Sequence, residues 1–135
     1  MAVKTKQDSL ESAYEQLHAL LSEYAPPFVL KEGTVKGKRD IHLQVPKPVI
    51  VPGAYGGSPK TVGMASIILQ KGYVGFYFLP IYLEPELAEK LSPELRKLLK
   101  GRTCFYIRQF MPELRKDVQA ALEIGKKNFA KRGWI

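Results

Sequence analysis

Two apolar runs separated by one turn signal constrain this chain's fold more than any other feature. Ala65-Ser-Ile-Ile-Leu69 and Tyr73-Val-Gly-Phe-Tyr-Phe-Leu79 flank Gln70-Lys71-Gly72. Glycine supplies the positive φ that a tight turn needs, so the pair is predicted to form a β-hairpin over 62–70 and 73–79. Its strands are apolar at nearly every position, which predicts that both faces of the sheet are covered there. Pro80 ends the second strand, because proline has no N–H for the ladder. A third apolar run, Cys104-Phe-Tyr-Ile107, reads as a further strand.

Helical periodicity brackets these runs. Leu10, Ala13, Tyr14, Leu17, Leu20, Leu21 and Tyr24 recur at the spacing of one helix stripe. Asp8 with Glu11 resembles a capping box, and Pro26-Pro27 closes the segment. At the other end Pro112 opens a helix whose inward stripe is Leu114, Val118, Ala121, Leu122, Gly125 and Phe129. Between them, 85–91 reads as a short helix. Ser92-Pro93 starts another, with serine as N-cap, proline at the first helical position and Gly101 as its end signal. Ile41-His-Leu-Gln-Val45 alternates as a half-buried strand with His42 and Gln44 on the wetter face. Pro46, Pro48 and Pro52 limit Val49-Ile-Val51 to an edge strand at most. The glycines of 53–59 lack the lysine and spacing of a phosphate-cradling loop. The expectation is a single α+β domain over 1–135. An antiparallel sheet of 41–45, 64–70, 73–79 and 103–107 packs against the N- and C-terminal helices.

A chain of 135 residues buries roughly two thirds of its unfolded surface without disulfides or a structural metal. Its one cysteine, Cys104, forms no internal disulfide, which points to a reducing, cytoplasmic setting. No signal-peptide core and no membrane-length apolar run is present. The main bias is charge, +8 from 21 Lys and Arg against 13 Asp and Glu. The cations are scattered through 36–39, 97–102 and 126–132 rather than gathered in a tail. Two explanations stay open: a solvated cationic surface, or a basic interaction module for nucleic acid or an acidic protein partner.

No catalytic constellation is legible. Cys104 has no histidine near it in sequence and reads as a packed thiol. His18 and His42 belong to no nucleophile motif, and Glu84, Glu86 and Glu89 read as the exposed start of a short helix. The sequence therefore predicts no enzymatic activity and no resident cofactor. Tyr73, Tyr77, Tyr82 and Tyr106, near Lys71, Arg102 and Arg108, read either as core aromatics or as a surface on which bases stack. Their density makes the hairpin the expected wall of any pocket.

Gly72-Tyr-Val-Gly-Phe-Tyr-Phe-Leu-Pro80, Pro85-Glu-Leu87, Ser92-Pro-Glu-Leu95, Lys100-Gly-Arg-Thr-Cys-Phe105 and Gly133-Trp134 together resemble the YdhG-like family, a bacterial domain of unknown function. The resemblance is carried by residues 60–135; segment 28–59 does not align. It implies a frataxin-like sandwich. Some members of the family are described as frataxin-like iron chaperones that supply ferrous iron to iron–sulfur or haem assembly proteins. Under that resemblance the candidate metal residues are Asp8, Glu11, Glu15 and His18. Their three-four-three spacing places them on one flank of the first helix, as an exposed ridge for transient Fe2+.

Overall fold

The computed structural model describes residues 6–35 and 37–135, with the backbone alone at 6–8 and 35. Helix α1 (Lys6–Ser22) leads into four strands, β1 (Val29–Val35), β2 (Lys38–Gln44), β3 (Gly63–Leu69) and β4 (Val74–Phe78). Two short helices, α2 (Pro80–Leu83) and α3 (Pro93–Arg96), are separated by a 3₁₀ segment, Pro85–Lys90. Strands β5 (Leu99–Lys100) and β6 (Cys104–Ile107) and helix α4 (Pro112–Lys131) complete the chain. The six strands are ordered β1-β2-β3-β4-β6-β5 and every neighbouring pair is antiparallel. The expected α+β architecture, a sheet with N- and C-terminal helices, is the observed one.

Register decides which residues meet the helices. Ile41, Leu43, Ala65, Ile67, Val74, Phe76, Phe78, Phe105 and Ile107 pair across the strands on one face, and all are buried. Helix α1 packs over β2, β3 and β4, and α4 over β3. Phe76 is the hub, with ring centroids 5.9 Å from Phe78 and 5.7 Å from Phe105. Where β2 meets the start of β3, Leu43 pairs with Ala65 but Gln44 with Gly63. Met64 is the extra residue, and it and Ala65 are both buried. The bulge therefore turns two successive side chains into the core.

Several expectations are corrected. Among the described residues no helix covers the opposite face of the sheet: Ser66, Ile68, Tyr73, Tyr77, Cys104 and Tyr106 are only half-buried. Alternation was hidden because tyrosine reads as apolar while its hydroxyl tolerates water, so both faces of the hairpin looked hydrophobic. Strand β1 carries the run Lys31-Glu-Gly-Thr34, so this exposed edge strand has no pattern to read. Val49 forms only an isolated bridge with Lys60. Helix α1 extends upstream of Asp8, which therefore sits in the helix rather than at its cap, and the Asp8 side chain lies outside the described residues. The helix also ends before the prolines, as Glu23, Tyr24 and Ala25 donate to the carbonyls three residues back and tighten the last turn. Gly101 caps no helix; it turns the chain between β5 and β6 at φ 79°. Ser92 does cap α3, its Oγ accepting from the Leu95 amide at 3.1 Å.

Glu84 is not solvated decoration. Its Oε1 accepts from Asn128 Nδ2 at 3.0 Å and from Arg132 Nη2 at 2.9 Å, while Arg132 Nε donates to Asn128 Oδ1 at 3.1 Å. This triangle ties the α2 segment to the end of α4. The Asn128 hydrogen bond, aided by Arg132, holds the Glu84 carboxyl below its ordinary range.

Burial and neighbours push several acidic groups upward. Burial raises the Tyr14 phenol to about 12 and also raises Tyr24. The adjoining Tyr106 hydroxyl, with burial adding, takes Tyr73 to about 12. Each such group is more readily ionised in the unfolded chain. The contributions of Tyr14 and Tyr73 are therefore whole below the ordinary phenol value near 10 and disappear as pH climbs through about 12. A urea midpoint that is level at neutral pH and falls steadily between pH 10 and 12 is expected, with Tyr14→Phe showing a shallower fall. A level midpoint through that window contradicts the assignment.

Candidate functional site

The uncovered sheet face is the most distinctive surface. Antiparallel register sets its rows. One runs Lys31, His42, Ser66, Tyr77, Cys104, Lys100 across all six strands, and the next runs Gly33, Asp40, Ile68, Gly75, Tyr106. Tyr73 and Tyr106 stack, with centroids 3.9 Å apart and planes 10° from parallel. A Cβ on Gly75 would lie 3.0 Å from the Tyr77 ring, so the missing side chain lets that ring lie flat along β4. Three tyrosines thus crowd around one glycine. Arg108 lies 5.8 Å from the Tyr106 centroid, within cation–π range. Lys38 Nζ donates to Gln70 Oε1 at 2.6 Å. With Lys31, Lys71 and Lys100, these cations rim the platform. Arg102, expected here, instead faces Tyr82 at 6.0 Å.

Among the described strand side chains on this face, Asp40 is the only acid, and it is 3% exposed. It belongs to a relay that sequence reasoning missed. His42 Nε2 lies 3.2 Å from Asp40 Oδ2, and His42 Nδ1 lies 2.7 Å from Ser66 Oγ. The pattern matches a nucleophile, a base and an orienting carboxylate. Its setting does not suit acyl transfer. Ser66 sits mid-strand with ladders to β2 and β4 on both sides, so its neighbouring amides serve the sheet rather than converging on an oxyanion. The relay fixes the His42 ring and satisfies a buried carboxylate. Half of its signal was available, since Asp40 and His42 two apart on a strand share a face. Ser66 needed the register.

Cys104 is half-buried; burial pushes its thiol up, with the Tyr77 hydroxyl partly offsetting this. The same burial raises the Tyr77 phenol. A protonated thiol is a poor nucleophile.

The ridge on α1 is only partly assembled. Glu11 is exposed. Glu15 Oε1 takes Arg39 Nη2 at 2.6 Å, and that hydrogen bond raises the Arg39 guanidinium's hold on its proton. Arg39 also lies 4.7 Å over Tyr14. His18 stands 4.0 Å from Glu15 and 3.4 Å from Glu32 of β1, a neighbour that sequence spacing did not supply. Among the described residues, no group of three or more His, Cys, Asp or Glu is placed to hold a metal ion.

A groove of about 640 Å³ opens where β6 runs out. Leu98, Tyr106, Arg108 and Met111 form part of its wall, and Glu113 and Asp117 of α4 line it from the helix side. The walls come from β6, the segments flanking it and α4, not from the β3–β4 hairpin as the aromatic density suggested. Among the described residues, no helix is long and apolar enough to cross a membrane. No protein-family model, curated protein or solved structure matches the chain.

Proposed function

We propose that this chain is a non-enzymatic, basic interaction module that binds single-stranded nucleic acid across its open sheet face. The observation that carries the reading is segregation: three tyrosines and a cationic rim share one face whose single described strand acid, Asp40, is buried and tied to His42. Flat aromatic faces stack unpaired bases, which a duplex keeps inside, and Lys and Arg at the rim meet phosphates. Four lysines and an arginine rimming hydroxyl-bearing rings suit a polyanion better than an apolar ligand. A cytoplasmic location agrees with the lone thiol at Cys104.

The test is binding of a fluorescent oligothymidylate at rising salt. Five rim cations, Lys31, Lys38, Lys71, Lys100 and Arg108, predict a slope of log affinity against log salt of roughly −3 to −4, at about −0.7 per phosphate contact for single strands. A slope near zero, or no binding at low salt, removes the reading. Capture of an acidic protein with no oligonucleotide binding would replace it by the other polyanion class.

A second reading, transient Fe2+ carriage on α1 for an iron–sulfur or haem assembly protein, has one observation in its favour. The fold adds Glu32 to Glu15 and His18. Arg39 already occupies Glu15, which weakens the pull on a cation. Anaerobic calorimetry with ferrous iron separates the two readings. Heat that disappears in the Glu11→Gln, Glu15→Gln double variant supports iron carriage on the Asp8–His18 flank, and no heat in the native chain removes it.

A further inference from the structure

The groove at the end of β6 has a chemistry unlike the rest of this basic surface. Its apolar wall is Leu98, Met111 and Leu114, and carboxylates Glu113 and Asp117 stand one helical turn apart on α4. Glu94 also lines it, but is held by Lys97 at 3.5 Å; among the described residues Glu113 and Asp117 have no ion-pair partner. The groove is continuous with the open face, because Tyr106 both stacks on Tyr73 and lines the groove, and Arg108 reaches both. Carboxylates repel phosphate, so a strand lying on the tyrosines would keep its backbone on the rim and present only a base here. Arg108, Gln109 and Tyr106 bring donors to the strand side of the groove, but its α4 side offers only the acceptor oxygens of Glu113 and Asp117, which suit the flat, donor-bearing edge of an unstacked base.

We infer that this groove takes up one unstacked base and that its carboxylates select guanine. The inference rests on the open face binding a single strand. Guanine presents two adjacent donors, N1–H and the N2 amino group, which match the two oxygens of one carboxylate. Adenine and cytosine place a bare ring acceptor beside their amino group, and thymine flanks its single N–H with two carbonyls, so each sets lone pairs against the carboxylate. Asp117 is the better-placed acceptor, because it is half-buried whereas Glu113 is exposed at the mouth. Partial burial strengthens a charge-assisted hydrogen bond.

Fluorescence anisotropy with three strands tests this: oligothymidylate, the same strand with one central guanine, and that strand with inosine, which lacks the N2 amino group. The guanine strand is expected to bind about tenfold tighter than oligothymidylate, the gain typical of a hydrogen-bonded pair with a charged acceptor. Inosine should lose most of that gain. In the Glu113→Gln, Asp117→Asn double variant the ratio between guanine and thymine strands should fall to about one, whatever the change in overall affinity. Equal binding of the guanine and thymine strands to the native protein, or an unchanged ratio in the variant, overturns the guanine assignment and leaves the open face intact. Failure of every strand to bind overturns the reading beneath it.

Discussion

Gly125→Leu is expected to destabilise the fold by about 3 kcal/mol or more, at the upper end of overpacking costs. Gly125 lies mid-way along α4, a position where glycine alone costs a helix about 1 kcal/mol relative to alanine. The compensation is close approach. A Cβ there would lie 2.6 Å from Met64 Sδ and 2.9 Å from the Phe78 ring, with a further Phe78 carbon at 3.2 Å. Met64 is the bulged residue of β3 and Phe78 ends β4, so α4 seats directly on the sheet at this point. A methionine tip can move, but Phe78 is fully buried against Phe76. Gly125→Ala should therefore cost less, because the methyl gains helix propensity and Met64 can yield. Ala120→Leu, on the exposed side of the same helix, should shift stability by no more than about half a kcal/mol. Urea denaturation followed by circular dichroism gives all three midpoints. A Gly125→Leu midpoint equal to that of the native protein would show that the helix does not seat there.

The sequence put Gly125 on the inward stripe of α4, and the helix is where periodicity placed it. What it could not show was why glycine stands there, since that depends on a bulge at Met64 set by the register of β2 against β3. The same limit runs through the candidate site. Tyr73, Tyr77 and Tyr106 were legible as a dense aromatic set, but which face they occupied required knowing that helices cover only the other one. His42 was legible on the wetter face of a strand read as 41–45, but Asp40 lay outside those bounds; Ser66 came from another strand, and only pairing brought it to 2.7 Å. Conversely, the motif residues behind the YdhG-like resemblance take up structural work. Ser92 caps α3, Gly101 turns the chain, and Trp134 packs edge-on against Phe129 at 4.8 Å. Such residues specify a fold without specifying a ligand.

The prediction that bears most directly on function is the loss of the tyrosine platform. Tyr73→Ala with Tyr106→Ala should weaken single-strand binding by about 2 kcal/mol, roughly thirtyfold, from base–aromatic stacking worth about 1–3 kcal/mol per base. Both rings are half-buried and already stacked, so the outer face of the pair is what a base would meet. Tyr73→Phe with Tyr106→Phe keeps those faces and should retain nearly all the affinity. The salt slope should be unchanged in both double variants, because the rim cations remain and counterion release is theirs. Removing Lys31 and Lys100 instead should flatten the slope by about 1.4, from about 0.7 per contact, while leaving the response to stacking variants alone. Circular dichroism under the binding conditions verifies that each variant is folded. If the alanine pair binds as tightly as the native protein while remaining folded, bases do not stack on this face, and the cationic rim alone accounts for any binding.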